Sequence, residues 1–424
     1  MNGAPTTALE AGIGHNSSGP FDVEKIRQDF PILSRSVYGK PLVYLDNGAS
    51  AQKPRAVIEA VTRMYEEEYS NVHRGAHFLS GLATDAFEAA RSKVAGFINA
   101  ASDDEIVFTR NATEAMNLVA HSHAGAFLQP GDEIIISAME HHANIVPWQL
   151  LRDSKGIVLK VAPISDRGEL LMEDFEKLLT PRTRLVSITH CSNVLGTMNP
   201  AREIIALAHA QGVPVLLDGA QAVVHGPVDV QALDVDFYAF TGHKLYGPSG
   251  IGVLYGKMAL LEKMPPYQGG GEMIEKVSFE TSTFKAPPHR FEAGTPPIAQ
   301  VIGLGAAIDY VAAIGFEDIA RHEAEILAYA SERMSEIEGL RILGQAPGKA
   351  AIISFVIEGI HSYDVATILD RAGVAVRVGH HCAEPLMARF GVDATLRASI
   401  GLYNTRAEID TLLAALAKAK AVFG

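Results

Sequence analysis

Lys244 stands at the end of an apolar, aromatic-rich run: Asp236-Phe237-Tyr238-Ala239-Phe240-Thr241-Gly242-His243-Lys244-Leu245-Tyr246-Gly247-Pro248. An ammonium ion is expensive to bury in such surroundings unless it is paired or gives up its proton. The neutral amine that results can condense with an aldehyde to form a Schiff base, the chemistry by which a lysine carries pyridoxal phosphate (PLP). A surface lysine in a strand-to-loop turn is the plainer alternative, and this stretch alone does not decide between them.

A second stretch, Val215-Leu216-Leu217-Asp218-Gly219-Ala220-Gln221, is an apolar strand ending in a carboxylate. A buried aspartate needs a cationic partner, and a protonated pyridine nitrogen is one. Capping of the following helix is the alternative. Asp218 precedes Lys244 by 26 residues, so the two can occupy adjacent strand ends. Upstream, Arg110-Asn111-Ala112-Thr113-Glu114 opens a helix after a strand. Its free N–H groups and dipole suit a phosphate, unless Asn111 or Thr113 merely caps it. In Met139-Glu140-His141-His142-Ala143-Asn144 a histidine could stack on a flat ring and move protons. A loop histidine or half of a metal site is the alternative, but the usual ligand spacings for metal are absent. In His190-Cys191-Ser192-Asn193, Asn193 offers a hydrogen bond to a cofactor oxygen or a substrate carboxylate, and Cys191 reads as a buried small residue.

Far along the chain, Val374-Ala375-Val376-Arg377-Val378-Gly379-His380-His381-Cys382-Ala383-Glu384-Pro385 sets a cysteine on a glycine-containing loop, beside two histidines and behind an arginine. Cationic neighbours favour thiolate. A structural cysteine or a His-His-Cys zinc cluster would also use these residues, although three consecutive side chains rarely reach one metal. Arg397, in Leu396-Arg397-Ala398-Ser399, has the fork that suits a substrate carboxylate, or it forms an ordinary ion pair.

The elements that must position these groups alternate. Strand-like runs fall at 105–109, 133–137, 158–164, 185–190, 213–218, 237–241 and 251–255, with helical segments such as 112–127, 144–154, 172–179 and 201–211 between most of them. Alternation of this kind implies an α/β fold with a mainly parallel seven-stranded sheet covered on both faces. Ligands of such sheets bind outside the carboxyl ends of the strands, where most of these residues fall. Residues 1–20 read as a disordered tail. A polar loop at 70–77 precedes a helix at 82–98, and 268–283 reads as loop. A long helix at 298–338 leads to a smaller α/β unit with strands at 351–357 and 374–378 and helices at 362–372 and 406–423. A boundary near 310 divides a large domain (21–310) from a small C-terminal domain (311–424) that carries the cysteine loop. The net charge of −13, without a long basic run, argues against nucleic acid or anionic membrane as partner. No long apolar stretch suggests a membrane span. Two cysteines and no secretory signal point to a reducing, cytoplasmic setting.

With Thr241-Gly242-His243-Lys244, Asp218-Gly219-Ala220-Gln221, the His141 motif and Arg377-Val378-Gly379-His380-His381-Cys382 in this order, the chain resembles the cysteine desulfurases. These are PLP enzymes of the aminotransferase class V family with the fold-type I architecture. The Gly-His-His-Cys-Ala form resembles the Suf-type (group II) branch more than the Isc/Nif-type branch, and the resemblance runs from about residue 22 to the C-terminus. It implies that Lys244 carries PLP, Asp218 pairs with the pyridine nitrogen, Gln221 meets the ring hydroxyl and His141 stacks on the ring and transfers protons. Ala112, Thr113, Thr241 and His243 would hold the phosphate, with Thr295 reaching over from the other subunit of a homodimer. Asn193 and Arg397 would hold the substrate carboxylate, and Arg377 and His73 would line the entrance near the nucleophile, Cys382. The implied reaction converts L-cysteine to L-alanine and leaves a persulfide on Cys382. The sulfur would pass to an acceptor protein of the Suf system (SufE-like or SufU-like) for iron-sulfur cluster assembly. Selenocysteine lyase uses the same site, and a class V aminotransferase would not need Cys382. The chain departs from the family pattern at Ala112, where a threonine is frequent, at Thr241 for serine, at Val378 for threonine, and at Glu384, which places a negative charge beside the thiol.

Overall fold

Runs rich in Ile, Val, Leu and Phe, buried on both faces except in the edge strand Val158–Ala162, form the strands of the larger sheet in the computed structural model, which describes residues 21–423. The expected tail at 1–20 lies outside the described residues. The strands are β1 (Ile106–Thr109), β2 (Glu133–Ser137), β3 (Val158–Ala162), β4 (Thr183–Thr189), β5 (Val215–Asp218), β6 (Phe237–Thr241) and β7 (Gly252–Gly256), in the order β1-β7-β6-β5-β4-β2-β3. β7 runs antiparallel to both its neighbours, and the remaining pairings are parallel. The carboxyl ends of β1, β2, β4, β5 and β6 therefore share one edge, as the sequence reading expects of a mainly parallel sheet.

Helix α1 (Phe78–Phe97) begins four residues before the expected start. The signal was hidden because its cap is a histidine: His77 Nδ1 accepts from the Ser80 N–H at 3.3 Å. Helix α2 (Ala112–Leu118) continues through a π turn at Val119–Ala124. The single long helix expected at 298–338 is instead α3 (Ile298–Ile314) and α4 (Phe316–Ser335), which meet at 77°. Gly315, at φ +95°, makes the corner. No single helix among the described residues is long and apolar enough to cross a membrane.

The smaller sheet contains β8 (Leu340–Leu343), β9 (Ile352–Ile357), β10 (Arg377–Gly379) and β11 (Thr395–Ser399), all antiparallel, in the order β8-β9-β11-β10. Several features here and elsewhere escaped the sequence reading. The run at 374–378 divides: Val374–Ala375 pairs in parallel with Val43–Tyr44, and only Arg377–Gly379 joins this sheet. β8 and β11 were not expected, nor was the short helix α5 (Glu384–Phe390). The segment read as loop contains a hairpin, Ile274–Val277 with Ser282–Phe284. Leu396 and Ala398 of β11 pack into the apolar core with Ile353 and Phe355 of β9 and Leu412 and Leu416 of the C-terminal helix. By the two-residue period of a strand, Thr395, Arg397 and Ser399 take the opposite face. That face meets the loop after β4: Ser354 of β9, paired with Arg397, donates to Val194 O at 2.6 Å.

Gly219 shows how closely β5 and β6 pack at the functional edge. A Cβ there would stand 2.0–2.3 Å from the ring and oxygen of Tyr238. Gly219→Ala is expected to destabilise the protein by about 1–3 kcal/mol, as overpacking does, seen as a lower urea midpoint at unchanged m-value.

Candidate active site

A cavity of about 320 Å³ opens at the carboxyl edge of the larger sheet and is closed on its other side by β10, β11 and the Cys382 loop. Its lining includes Ala112, Thr113, His141, Asn193, Asp218, Gln221, Thr241, His243, Lys244, Arg377, Cys382 and Arg397. Twelve of the fourteen expected site residues thus meet in one place. The other two do not: Thr295 lines a separate cleft, and His73 sits away from the cavity, bonded to Glu88 at 2.7 Å and stacked edge-on against His289.

Lys244 keeps some surface toward the cavity but has no hydrogen-bond partner for Nζ among the described residues. Burial pulls its pKa down to about 8, Asp218 working against that shift and Arg397 adding to it. Lys244 therefore gives up its proton far more readily than an ordinary lysine. The turn that presents Lys244 is clamped at the His243 carbonyl, which accepts from Ala51 N (3.1 Å), Ser50 Oγ (3.2 Å) and Lys53 Nζ (3.0 Å).

Asp218, 6% exposed, has one conventional bond, from the Ala220 N–H at 2.9 Å. Burial raises its pKa, with the Ala220 N–H and Lys244 opposing. A carboxylate so placed calls for a further cationic or N–H partner in the cavity. Gln221 donates Nε2 to Gly48 O at 2.7 Å, which leaves its oxygen for a ligand. His141 accepts the Ala143 N–H at Nδ1 (3.1 Å), so the neutral ring carries its proton on Nε2. Burial, aided by Lys244, His142 and Arg397, pushes its pKa to about 3 and keeps it neutral. Glu140 joins β2 to β4 by accepting from Ser137 N (3.3 Å) of β2 and Thr189 N (3.0 Å) of β4, and also accepts from Asn144 Nδ2 (2.7 Å).

At the other end of the cavity Asn111 caps α2 by accepting from Glu114 N at 2.9 Å. That settles the capping alternative in favour of Asn111 and leaves Thr113 without that duty. The approach needs Gly252, because a Cβ there would lie 2.4 Å from the Asn111 backbone. Cys191 is buried, with burial pushing its pKa to about 12, and behaves as a small core residue.

Cys382 is exposed. Both it and His381 adopt left-handed backbone (φ +54° and +53°), a strained pair that surrounding contacts must enforce. Three carbonyls of the loop are held: His380 O by Ala383 N (2.9 Å), His381 O by Asn193 Nδ2 (2.8 Å) and Cys382 O by His142 N (2.6 Å). His142 Nε2 also accepts the Glu384 N–H at 3.1 Å. Asn193 therefore positions the cysteine loop as well as lining the cavity, and His142 is a positioning residue that the sequence reading passed over. Its only signal was adjacency to His141. Arg397 is 2% exposed, donates Nη1 to Asn193 O at 2.9 Å, makes no hydrogen bond from Nε, and sets Nη2 3.5 Å from Asp46 Oδ1 in an ion pair. A buried guanidinium whose Nε and Nη2 make no hydrogen bond, lining the same cavity as Lys244, fits an anionic ligand such as a carboxylate. Uncommitted Lys244, half-satisfied Asp218 and the free Gln221 oxygen likewise fit a planar aldehyde cofactor with a basic ring nitrogen.

The chain matches the Aminotransferase class-V family over residues 43–412. It is 55% identical over 405 residues to a cysteine desulfurase of Dickeya dadantii (strain 3937), covering 95% of this chain and 98% of that protein. Among solved structures it resembles the S-sulfonic acid form of a cysteine desulfurase from Escherichia coli, with a TM-score of 0.89 and 41% identity over 96% of this chain and 100% of that one. It also resembles a C-DES variant carrying glycine covalently linked to its PLP cofactor, with a TM-score of 0.80 and 25% identity over 94% of this chain and 99% of that one.

Burial also holds His123, His190, His243 and His381 below the ordinary histidine range. Each binds a proton more readily unfolded, near pH 6.5, than folded. Their contribution is complete above that pH and is lost as pH falls from about 6.5 toward 4. Glu140, raised to about 7 by burial, opposes them with the reverse sign. The urea midpoint is expected to fall between pH 7.5 and 5.5, and His123→Leu, away from the cavity, should reduce that fall.

Proposed function

The chain belongs to the aminotransferase class-V family, and from that premise we propose that it is a PLP-dependent cysteine desulfurase of the Suf type, which takes sulfur from L-cysteine onto Cys382. The single observation that carries this reading is the meeting, in one cavity, of an uncommitted lysine, a buried aspartate, a buried arginine with two nitrogens that make no hydrogen bond and an exposed cysteine on a strained, pinned loop.

PLP, when bound, supplies an electron sink conjugated to the α-carbon of the amino acid. Lys244 would hold its aldehyde carbon, Asp218 its ring nitrogen, and Gln221 its ring hydroxyl through the free amide oxygen. Ala112, Thr113, Thr241 and His243 would hold the phosphate. The neutral ring of His141 would cover the cofactor face. Arg397, with the remaining Asn193 N–H, would take the α-carboxylate of L-cysteine and so direct its thiol toward the Cys382 side of the cavity. Lys244 Nζ would also move protons at the substrate carbon. The Cys382 thiolate attacks the substrate sulfur. An S–S bond forms, the substrate Cβ–S bond breaks, and the proton of the substrate thiol ends on that carbon. The products are L-alanine and a Cys382 persulfide, and atoms and charge balance without an outside oxidant. The persulfide stands on an exposed loop that a sulfur-acceptor protein can reach, which supports transfer to a Suf-system acceptor for iron-sulfur cluster assembly in the cytoplasm.

We further infer a homodimer. Thr295 and His73 lie outside this chain's own cavity, and the apolar side chains of Phe78, Leu79, Leu82 and Phe279 are exposed nearby in sequence. A second copy would bring Thr295 and His73 to the neighbouring cavity and cover such surface.

The test measures alanine and sulfide formed from L-cysteine with a thiol reductant. Lys244→Ala is expected to abolish both, and Cys382→Ser to abolish desulfuration while leaving the cofactor bound and the protein yellow. A Cys382→Ser enzyme with full turnover would sink the persulfide reading in favour of a class V aminotransferase.

A further inference from the structure

His73 and Thr295, the two expected site residues that lie outside this chain's own cavity, both trace back to one buried arginine. Arg91 stands on α1, 2% exposed, with its guanidinium over the rings of Phe108 (4.6 Å) and Phe87 (5.4 Å). Its Nη1 and Nη2 donate to the two oxygens of Glu292 at 2.7 and 2.9 Å. Glu292 also accepts the Phe108 N–H of β1 at 2.7 Å and stands three residues before Thr295. Arg91 Nε donates to Glu88 Oε2 at 2.8 Å, and the other Glu88 oxygen, Oε1, lies 2.7 Å from His73 Nε2. Burial alone would raise the Glu88 pKa, but the bonds and charges of His73 and Arg91 hold it at about 2. Glu88 is therefore a carboxylate at any working pH. His73 adopts left-handed backbone (φ +71°), its N–H is held by Thr84 Oγ1 at 2.9 Å, and its ring stands edge-on against both Phe87 and His289. Strain of that kind persists only where the surroundings over-determine it, and it clusters at functional sites.

A carboxylate only accepts, so the proton between His73 and Glu88 sits on His73 Nε2. In the neutral ring Nδ1 is then the acceptor. We propose that Glu88 is a positioning residue for the reaction in the neighbouring copy: braced by Arg91, it orients the His73 ring and fixes its tautomer, so that Nδ1 is offered at the second copy's cavity to an N–H or S–H of the bound amino acid. This rests on the homodimer reading, in which His73 and Thr295 complete the neighbouring cavity. It accounts for the common root of the two at Arg91. One guanidinium sets the His73 ring and the Thr295 segment in a fixed relation, as two groups serving one site require. Stability of the fold would call for the buried Arg91–Glu292 pair, but not for a histidine of fixed tautomer on a strained loop.

Glu88→Gln keeps the shape and reverses the bond. An amide has one accepting atom, Arg91 takes it, and the NH2 group meets His73, which must then accept at Nε2 and carry its proton on Nδ1. The experiment uses mixed dimers of the holoenzyme, assembled from two differently tagged chains, one of which carries Lys244→Ala. Each such dimer has one working cavity, and Glu88→Gln is placed either on the chain that owns it or on the neighbour. On the neighbour it is expected to lower turnover of L-cysteine about tenfold, the worth of one charged hydrogen bond. On the owner, turnover should match that of the mixed dimer with Glu88 in both chains. A loss on the owner only, equal losses, or no loss in either arrangement overturns the proposal. The same pairs made with His73→Ala test the homodimer reading separately: a His73→Ala effect across the dimer with none from Glu88→Gln sinks this inference alone, whereas a chain that forms no mixed dimer sinks both. The second readout is nitrogen-15 NMR of the His73 ring in the wild-type holoenzyme, its signals identified by their loss in His73→Ala. It is expected to show the proton on Nε2, and on Nδ1 in Glu88→Gln. A wild-type proton on Nδ1 overturns the proposal, also where Glu88→Gln fails to fold or where wild type shows no L-cysteine turnover and the desulfurase reading itself falls.

Discussion

Lys244 and Asp218 are ionisable groups placed at the end of a buried sheet with too few partners of their own. Desolvation pulls the lysine toward its neutral form and the aspartate toward its protonated form, while each charge steadies the other. Neither is satisfied by protein alone, and a cofactor with an aldehyde and a basic ring nitrogen answers both needs at once. The surrounding construction serves to hold this unsatisfied pair still. The His243 carbonyl is clamped by Ser50, Ala51 and Lys53, Gly219 lets Tyr238 pack against the β5 exit, and Glu140 ties β2 to β4.

A single segment, Asp46 through Lys53, connects that pair to the smaller sheet. Asp46 reaches Arg377, Asn47 donates to Ser399 O at 2.8 Å, Gly48 bonds both Ser399 and Gln221, and Lys53 reaches the His243 carbonyl. The cysteine loop is tied in the opposite direction, by Asn193 and His142 of the larger unit. These reciprocal bonds give an exposed thiol a defined position. They also explain how two successive non-glycine residues can persist in left-handed backbone, since each carbonyl that the strain displaces has a donor waiting for it.

Much of the site was legible from residue type and place. Asp218 ends β5, and Lys244 and His141 follow β6 and β2, whose carboxyl ends share one edge, while Cys382 follows β10 of the smaller sheet. The errors were of two physical kinds. Helix α1 began earlier than expected because a histidine served as its cap, and the long C-terminal helix broke at Gly315, whose φ is closed to other residues. β11 was missed although its alternation of Leu396 and Ala398 with Thr395, Arg397 and Ser399 has the period of a strand. It is short, and both of its faces are buried, one against apolar side chains and one against polar partners, so composition gave no clean contrast.

The sequence by itself determined the α/β class, the seven strands and twelve of the residues that line the cavity, because hydrophobic periodicity and rare residue types in apolar settings are local properties. Only the tertiary structure decided how those groups divide their bonds. It gave the Asn111 cap, the tautomer of His141, the grip of Asp46 on Arg377 and the hold of Asn193 and Asp46 on Arg397, each of which depends on residues tens to hundreds of positions apart or on the exact approach of two backbones. It also left Thr295 and His73 outside the cavity of their own chain, a fact about distance that no reading of neighbours along the chain contains.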